Sequence, residues 1–441
     1  MQFDEALRYL LSLGHETLAI KLGLRNIELL LARLKDPQQS FPAVQIAGTN
    51  GKGSTAVVLD SICRAAGIKT GLYTSPHLVS ITERIRTSGA EISPANFARQ
   101  ATFVREAAEQ LVAAGQFAAP PTFFEQVTAI ALLEFRDQQV DLAILETGLG
   151  GRLDATTAVQ AQTVAITQIA FDHQNYLGDT LASIAAEKAA IIRPGVTAII
   201  GKQLPEALEV ILQRCKAMHV NPNIADCTYQ VDEVGRHGQM IVSFETKVGR
   251  YPKVRVGLRG QHQLENIGVA IGIAESLSQR GLPVSEKAII AGIENAKHAG
   301  RLEYWPGHPA FLFDGAHNVA GASALRAYLE SFESRSITLV FGAMADKNLE
   351  EMAAILFPIA KRLVLVQPDN PRAATTETLH PLTRLASDST PVFTAPSPAA
   401  AIEMAQNETP DDELICVTGS LYLVGDIQAA LQQPKVQTRG N

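Results

Sequence analysis

Ala47-Gly48-Thr49-Asn50-Gly51-Lys52-Gly53-Ser54-Thr55 decides the fold. It follows the apolar run 44–47 (VQIA) and opens the amphipathic run 54–66, so it reads as the turn from a buried strand into a helix. Glycines at 48, 51 and 53 let successive backbone N–H groups converge on an anion, the helix N-terminus adds partial positive charge, and Lys52 supplies a full one. The strict GxxxxGK[ST] spacing is absent, because Ile46 stands five before Gly51 and Gly53 separates Lys52 from Ser54. A glycine-rich turn carrying an exposed lysine is the plain alternative. Three glycines around a lysine, with hydroxyls at 54 and 55, favour a nucleotide phosphate site.

Working outward, 142–146 (LAILE) and 164–169 (VAITQI) read as further buried strands, and 180–192 as a helix closed by Pro194-Gly195. A second series comprises 311–313, 337–341 (ITLVF), 363–366 (LVLV) and 414–417 (LICV), again separated by helical patterns. Short apolar runs alternating with longer amphipathic ones predict an α/β fold with mostly parallel sheets. The economical cut at Ala299-Gly300 gives a large domain over 1–299 and a smaller one over 300–441. Residues 228–257 differ: MIVSFET and YPKVRVGL alternate polar and apolar side chains, as an antiparallel ribbon does. A cleft between two α/β domains suits a two-substrate active site.

Composition narrows the class. Of 441 residues, 46% are hydrophobic and 19% charged, which excludes a disordered chain. No run approaches the roughly 18 to 20 apolar residues of a membrane span. The start Met-Gln-Phe-Asp-Glu carries acids where a secretory signal needs positive charge. Cys63, Cys215, Cys227 and Cys416 are too scattered for a disulfide framework or a CxxC knot, so a reduced, cytoplasmic protein is expected. With 38 basic and 45 acidic residues the net charge is −7, which argues against a nucleic-acid surface.

A bound triphosphate calls for Mg²⁺, an ion that prefers oxygen ligands and keeps several waters. Glu146 ends its strand where parallel sheets line a ligand crevice; a solvated loop carboxylate is the alternative. Asp172-His173 follows the next strand in the same way, although a lone histidine is more often structural. Ser75, in Tyr73-Thr74-Ser75-Pro76-His77, could offer a hydroxyl. Lys188, inside the helix 180–192, reads by itself as an exposed helix lysine. Thr122-Phe123-Phe124-Glu125 fits either an aromatic wall for a flat ligand or core at a helix start. Arg301 and Asp314, bracketing the strand 311–313, fit a surface ion pair or contacts to a nucleotide.

Together these strings resemble the Mur ligase superfamily and, within it, the folylpolyglutamate synthase/dihydrofolate synthase family. The resemblance runs through LGLR at 22–25, GTNGKGST at 48–55, YTSPHL at 73–78, ETGLGGRLDAT at 146–156, DHQNYLG at 172–178 and EKA at 187–189. It continues through HQLEN at 262–266, GRLE at 300–303, DGAHN at 314–318, FGAMADK at 341–347 and TGSLYLVG at 418–425. The resemblance implies a P-loop-type Mur ligase ATPase domain followed by a Rossmann-like C-terminal domain. It implies ATP-dependent addition of L-glutamate to dihydropteroate and to folates through an acyl phosphate, in the bifunctional bacterial manner. Gly51, Lys52, Gly53, Ser54, Asn266, Arg301 and Asp314 then match ATP-binding positions; Ser75, Glu146 and His173 match magnesium ligands. Lys188 matches a carbamylated lysine, and Lys52, Glu146, His173 and Lys188 together form the implied catalytic set. Ile20, Lys21, Leu22, Thr122, Phe123, Phe124, Glu125, Leu153, Asp154 and Ala155 match positions against the pterin. The chain departs from the family at Thr157, where Asn is usual, and at Val319, where Pro is usual.

A monomer with no nucleic-acid or membrane partner is expected. The alternatives are a monofunctional folylpolyglutamate synthase, a cell-wall Mur ligase and a nucleotide-binding switch. The second normally carries an additional N-terminal domain, and only 43 residues precede strand 44–47 here.

Overall fold

The computed structural model describes residues 1–14, 23–331 and 336–432; Ile20, Lys21 and Leu22 lie outside them. The first sheet contains β1 (Ala43–Ala47), β2 (Thr70–Tyr73), β3 (Ile85–Thr87), β4 (Ala90–Glu91), β5 (Leu142–Glu146), β6 (Thr163–Ile166), β7 (Thr197–Ile200) and β8 (Pro222–Ile224). Its spatial order is β4-β3-β2-β5-β1-β6-β7-β8. From β2 to β8 the pairing is parallel, and only β3 and β4 run antiparallel at one edge. Every residue of β1 and β5 is buried, because helices cover both faces; this is why those strands read as continuous apolar runs rather than alternating ones.

A three-stranded antiparallel ribbon follows: β9 (Thr228–Val234), β10 (Met240–Glu245) and β11 (Arg250–Arg255). Its buried face, with Met240, Val242, Phe244, Tyr251 and Val254, joins the core under the helix His262–Gln279. There Tyr251 donates to the Glu275 carboxylate at 2.8 Å. The second sheet holds β12 (Glu303–Trp305), β13 (Ala310–Phe313), β14 (Ile337–Phe341), β15 (Arg362–Val366), β16 (Val392–Ala395) and β17 (Leu414–Thr418). The order is β12-β13-β17-β14-β15-β16, parallel except for β12. Each sheet has an apolar cluster on either face, so each lobe has its own core.

Three of the boundaries that differ from the sequence reading do so for a local reason. The helix after β1 begins at Lys52 rather than 54, because Gly51 takes a left-handed φ of 85° and turns the chain directly into it. β6 stops at Ile166 rather than 169, since the carbonyl of Gln168 accepts from Thr49 and Asn50, and Ile169 donates to the Gln203 side chain. These residues serve the phosphate loop instead of a neighbouring strand. The helix read over 180–192 is Leu181–Ala189, because Ile192 N–H turns back to Ala189 ahead of Pro194. β16, like β3, β4, β7, β8 and β12, was not among the strands read from the sequence; each spans only two to four residues, too few for a distinct periodic signal.

Among the described residues, no helix is long and apolar enough to cross a membrane, and all four cysteines are free thiols.

Candidate active site

The carboxyl ends of both parallel sheets open on one cavity of about 350 Å³. The loops after β1, β2, β5 and β6 face those after β13, β14, β15 and β17, the edge at which open α/β sheets bind ligands. Phosphate-loop residues Gly48 to Ser54 form one wall. A Cβ at Gly48 would lie 1.9 Å from the Thr167 hydroxyl, and one at Gly51 only 2.0 Å from Asn266 Oδ1, so this loop is packed to its backbone. Lys52 Nζ donates to Thr49 O at 3.2 Å. Asn266, on the helix His262–Gln279, donates to Gln263 Oε1 at 2.9 Å and accepts from the Thr55 hydroxyl through its carbonyl at 3.3 Å.

Glu146 ends β5 against this wall, and its Oε2 accepts from Ser75 N at 3.1 Å. Burial pushes its carboxyl up; Lys52, the Ser75 N–H, Arg301 and Arg84 act in the opposite direction. The solvated-loop alternative is thereby removed, because the side chain is 6% exposed. His173 caps the short helix Gln174–Leu177 with a φ of 50°. Burial, and then Lys347, His317 and Lys52, hold its imidazole down at about 4 despite Asp172, so a neutral nitrogen faces the cavity. Asp172 gathers Lys347 Nζ at 2.7 Å, His317 Nε2 at 3.6 Å and His173 Nε2 at 3.8 Å. Burial alone would raise its pKa, yet the three cationic or protonatable neighbours hold it well below the ordinary carboxylate range.

Lys188 corrects the simplest sequence reading. It is not exposed: the side chain is buried, and Nζ donates to Gly48 O at 2.9 Å. Its helix packs against the helix Pro205–Ala217 and closes under the phosphate loop. The ammonium is pushed down to about 7, by burial first and by Lys52 second, against Asp172 and Asp154. Arg301 and Asp314 also depart from a simple surface ion pair. Asp314 is 7% exposed and accepts from Leu302 N at 2.9 Å and Ala316 N at 3.0 Å. Arg301 donates to Gly315 O at 3.1 Å. Both line the cavity from the second lobe.

The segment Thr122 to Glu125 divides between core and cavity lining. Thr122 and Glu125 form a reciprocal N-terminal cap on the helix Phe123–Asp137. Phe123 is core, at 4% exposed, whereas Phe124 lines the cavity with Leu149, Leu153, Ala155 and Leu177. Asp154 accepts from Gly148 N at 2.8 Å, Leu149 N at 3.0 Å and Thr156 N at 3.0 Å, so it shapes the loop after β5. The two departures are structurally benign. Thr157 accepts from Gln45 at 2.8 Å and donates to Gly151 O at 2.7 Å within the core. Val319 is the first residue of the helix Val319–Glu330 capped by Asn318, a position where Pro is favoured because the N–H there needs no partner and the ring pre-sets a helical φ.

The structure also adds residues to the sequence-derived set. Asn318 Nδ2 donates to Asn50 Oδ1 at 3.0 Å and, with the Lys347–Asp172 bridge, ties the two lobes across the cavity. His298 shares a hydrogen bond with the Ser54 hydroxyl at 3.1 Å. Lys347 and Asn318 lie in strings the sequence singled out, without a role attached; His298 lies in Lys297-His298-Ala299, where nothing signals it.

A strand-to-helix phosphate loop facing a second parallel lobe across one cavity defines a nucleotide-binding two-lobed enzyme site. The Mur ligase middle domain family matches residues 46–274, and the Mur ligase glutamate ligase domain family matches residues 300–421. A dihydrofolate synthase/folylpolyglutamate synthase of Bacillus subtilis is 34% identical over 426 residues, covering 95% of this chain and 97% of that protein. The folylpolyglutamate synthase of Mycobacterium tuberculosis, solved with ADP and AMPPCP, superposes with a TM-score of 0.88 at 32% identity, covering 97% and 99% of the two chains. The Escherichia coli FolC complex with DHPP and ADP gives a TM-score of 0.85 at 31% identity over 98% of each chain. The chain belongs to the Mur ligase family and, within it, to the dihydrofolate synthase/folylpolyglutamate synthase proteins.

Proposed function

We propose that the enzyme uses ATP to join L-glutamate to dihydropteroate and, in a second activity, to folates. One observation carries this reading: a single cavity is lined both by a phosphate loop with facing cationic groups and by the apolar side chains of Phe124, Leu149, Leu153 and Leu177. A triphosphate and a flat acid can therefore meet in it. A carboxylate is a poor acyl donor because oxide would have to leave. Transfer of the γ-phosphoryl group to that carboxylate, with departure of ADP, gives an acyl phosphate. The glutamate amine then attacks the acyl carbon, a proton is lost, and phosphate leaves. Lys52 and the Gly51–Ser54 backbone hold the transferring group and offset its charge, and Asn266, Arg301 and Asp314 take the rest of the nucleotide.

Ser75, Glu146 and His173 would hold Mg²⁺. Among the described residues no three His, Cys, Asp or Glu side chains form a metal cluster. The Glu146 carboxylate and the Ser75 hydroxyl are the oxygen donors such an ion prefers, and the neutral His173 imidazole, a less usual magnesium ligand, would be the third beside waters and phosphate oxygens. When bound, the ion would neutralise phosphate charge. For His173→Ala we expect a raised Mg²⁺ requirement with the folded state intact; a metal titration with unchanged midpoint and activity would remove His173 from the set. For Gly51→Ala we expect at least tenfold weaker ATP binding and a lower Tm. The new Cβ must displace Asn266 while the backbone holds a left-handed φ that costs an L-residue about 1–2 kcal/mol. Calorimetric titration with ATP that matched wild type would contradict this.

In this reading residues 1–299 and 300–441 act as two units meeting at the nucleotide, in a cytoplasmic monomer. The decisive assay supplies ATP, Mg²⁺ and L-glutamate with dihydropteroate, reduced folates or a UDP-muramoyl peptide in parallel. Glutamate-dependent ADP release is expected with the first two. Turnover with folates alone would reduce the protein to a monofunctional synthase, turnover with the peptide alone would make it a cell-wall ligase, and release independent of any acid would make it a switch.

A further inference from the structure

His298 stands outside every motif used above, yet it touches the phosphate loop. It lies between the helix Glu286–Asn295 and Arg301, on the segment that carries the chain from the first lobe to the second. That helix packs tightly on the helix Lys52–Ala65: a Cβ at Gly292 would come within 2.3 Å of Ile62 Cα. The approach fixes where the following segment begins. From there the imidazole reaches Ser54, whose side chain is 4% exposed, with Nδ1 at 3.1 Å from the hydroxyl. Its ring also packs against the bare Cα of Gly53 beside Glu146, since a Cβ there would lie 3.0 Å from His298 Cε1, 3.2 Å from Glu146 Oε2 and 3.3 Å from His298 Nε2.

We propose that His298 is a positioning residue for the nucleotide phosphates: it fixes the Ser54 hydroxyl and the Gly53 backbone, and registers the Arg301-bearing segment against the loop. Burial, with Arg301 and Arg86, pushes the imidazole down to about 3, so it is neutral. A neutral ring offers one donor and one acceptor nitrogen and adds no cation beside Arg301. A serine hydroxyl is otherwise a free rotor; held by His298, it presents a fixed direction to an incoming phosphate oxygen. The inference rests on the ATP reading of the cavity.

The test compares wild type with Ser54→Ala, His298→Phe, His298→Asn and the Ser54→Ala/His298→Phe double variant. It uses steady-state kinetics and calorimetric titration with a non-hydrolysable ATP analogue. Phe keeps the ring volume without the hydrogen bond, and Asn restores a polar group near the Nδ1 position. Each single loss is expected to raise KM for ATP roughly 3- to 10-fold, the span an ordinary neutral hydrogen bond gives, with a smaller change in kcat. The double variant should be no worse than the weaker-binding single, and His298→Asn should lie close to wild type. Multiplying effects in the double variant, or a His298→Phe that lowers Tm while leaving KM for ATP unchanged, would overturn the proposal. Failure of wild type to bind the analogue would instead overturn the ATP reading, and this inference with it.

Discussion

Replacing Lys52 with Ala should lower kcat for glutamate-dependent ADP release by about 10³-fold or more while moving Tm little. The magnitude follows from what a cation does during phosphoryl transfer, where positioning and charge neutralisation supply nearly all the catalysis. The small stability cost follows from its surroundings. Lys52 makes one hydrogen bond, to Thr49 O at 3.2 Å, and lines the cavity instead of filling core. Its loss also leaves Glu146 without its largest opposing charge, so burial would push that carboxyl still further up and weaken it as a metal ligand. Single-turnover measurement separates the step: acyl-phosphate formation, trapped with hydroxylamine, should be lost together with ADP release. A variant turning over at the wild-type rate would eliminate the proposed role of the loop lysine.

Lys188→Ala should cost about 10²- to 10³-fold in kcat, a loss of the size found when one preorganised electrostatic group is removed. Wild-type activity should also fall on exhaustive CO₂ removal and return with bicarbonate. Carbamylation requires a neutral amine, and a lysine held at about 7 supplies a large neutral fraction near neutral pH. The modification replaces a buried cation repelled by Lys52 with an anion attracted to it. Stability gives an independent check in CO₂-free buffer. The folded-state value lies below the ordinary 10.5 of an unfolded lysine, so the unfolded chain binds more protons between about pH 7 and 10.5. Stability from this group therefore rises with pH across that window. Lys188→Met should flatten that part of the denaturation-midpoint profile. An unchanged slope, together with activity indifferent to CO₂, would show that the lysine is neither perturbed nor modified as argued.

The strongest local signals in the chain were those with a period or a fixed spacing. Strands β1, β5, β14 and β17 were legible because burial on both faces leaves an unbroken apolar run. The ribbon was legible because one buried face imposes alternation, as in β10. The phosphate loop was legible because backbone N–H groups can converge only where glycines permit it. Lys188 was not: a helix lysine looks the same whether its face meets water or the underside of a loop, and the Gly48 carbonyl that receives it is 140 residues away. Phe123 and Phe124 show the same limit at a finer grain, since adjacent aromatic residues gave no indication which one turns into the cavity.

The sequence by itself determined the buried parallel strands, the ribbon, the anion-binding turn and, through its resemblance, the family. Those depend on neighbours along the chain, and local sterics and periodicity act over a few residues. Only the tertiary structure decided that Glu146, Lys188 and Asp314 are buried, that Asp172 holds Lys347 across the cavity, and that His298 braces Ser54. Charge states and contacts of that kind arise when distant segments exclude water from one another, and that desolvation is set by packing.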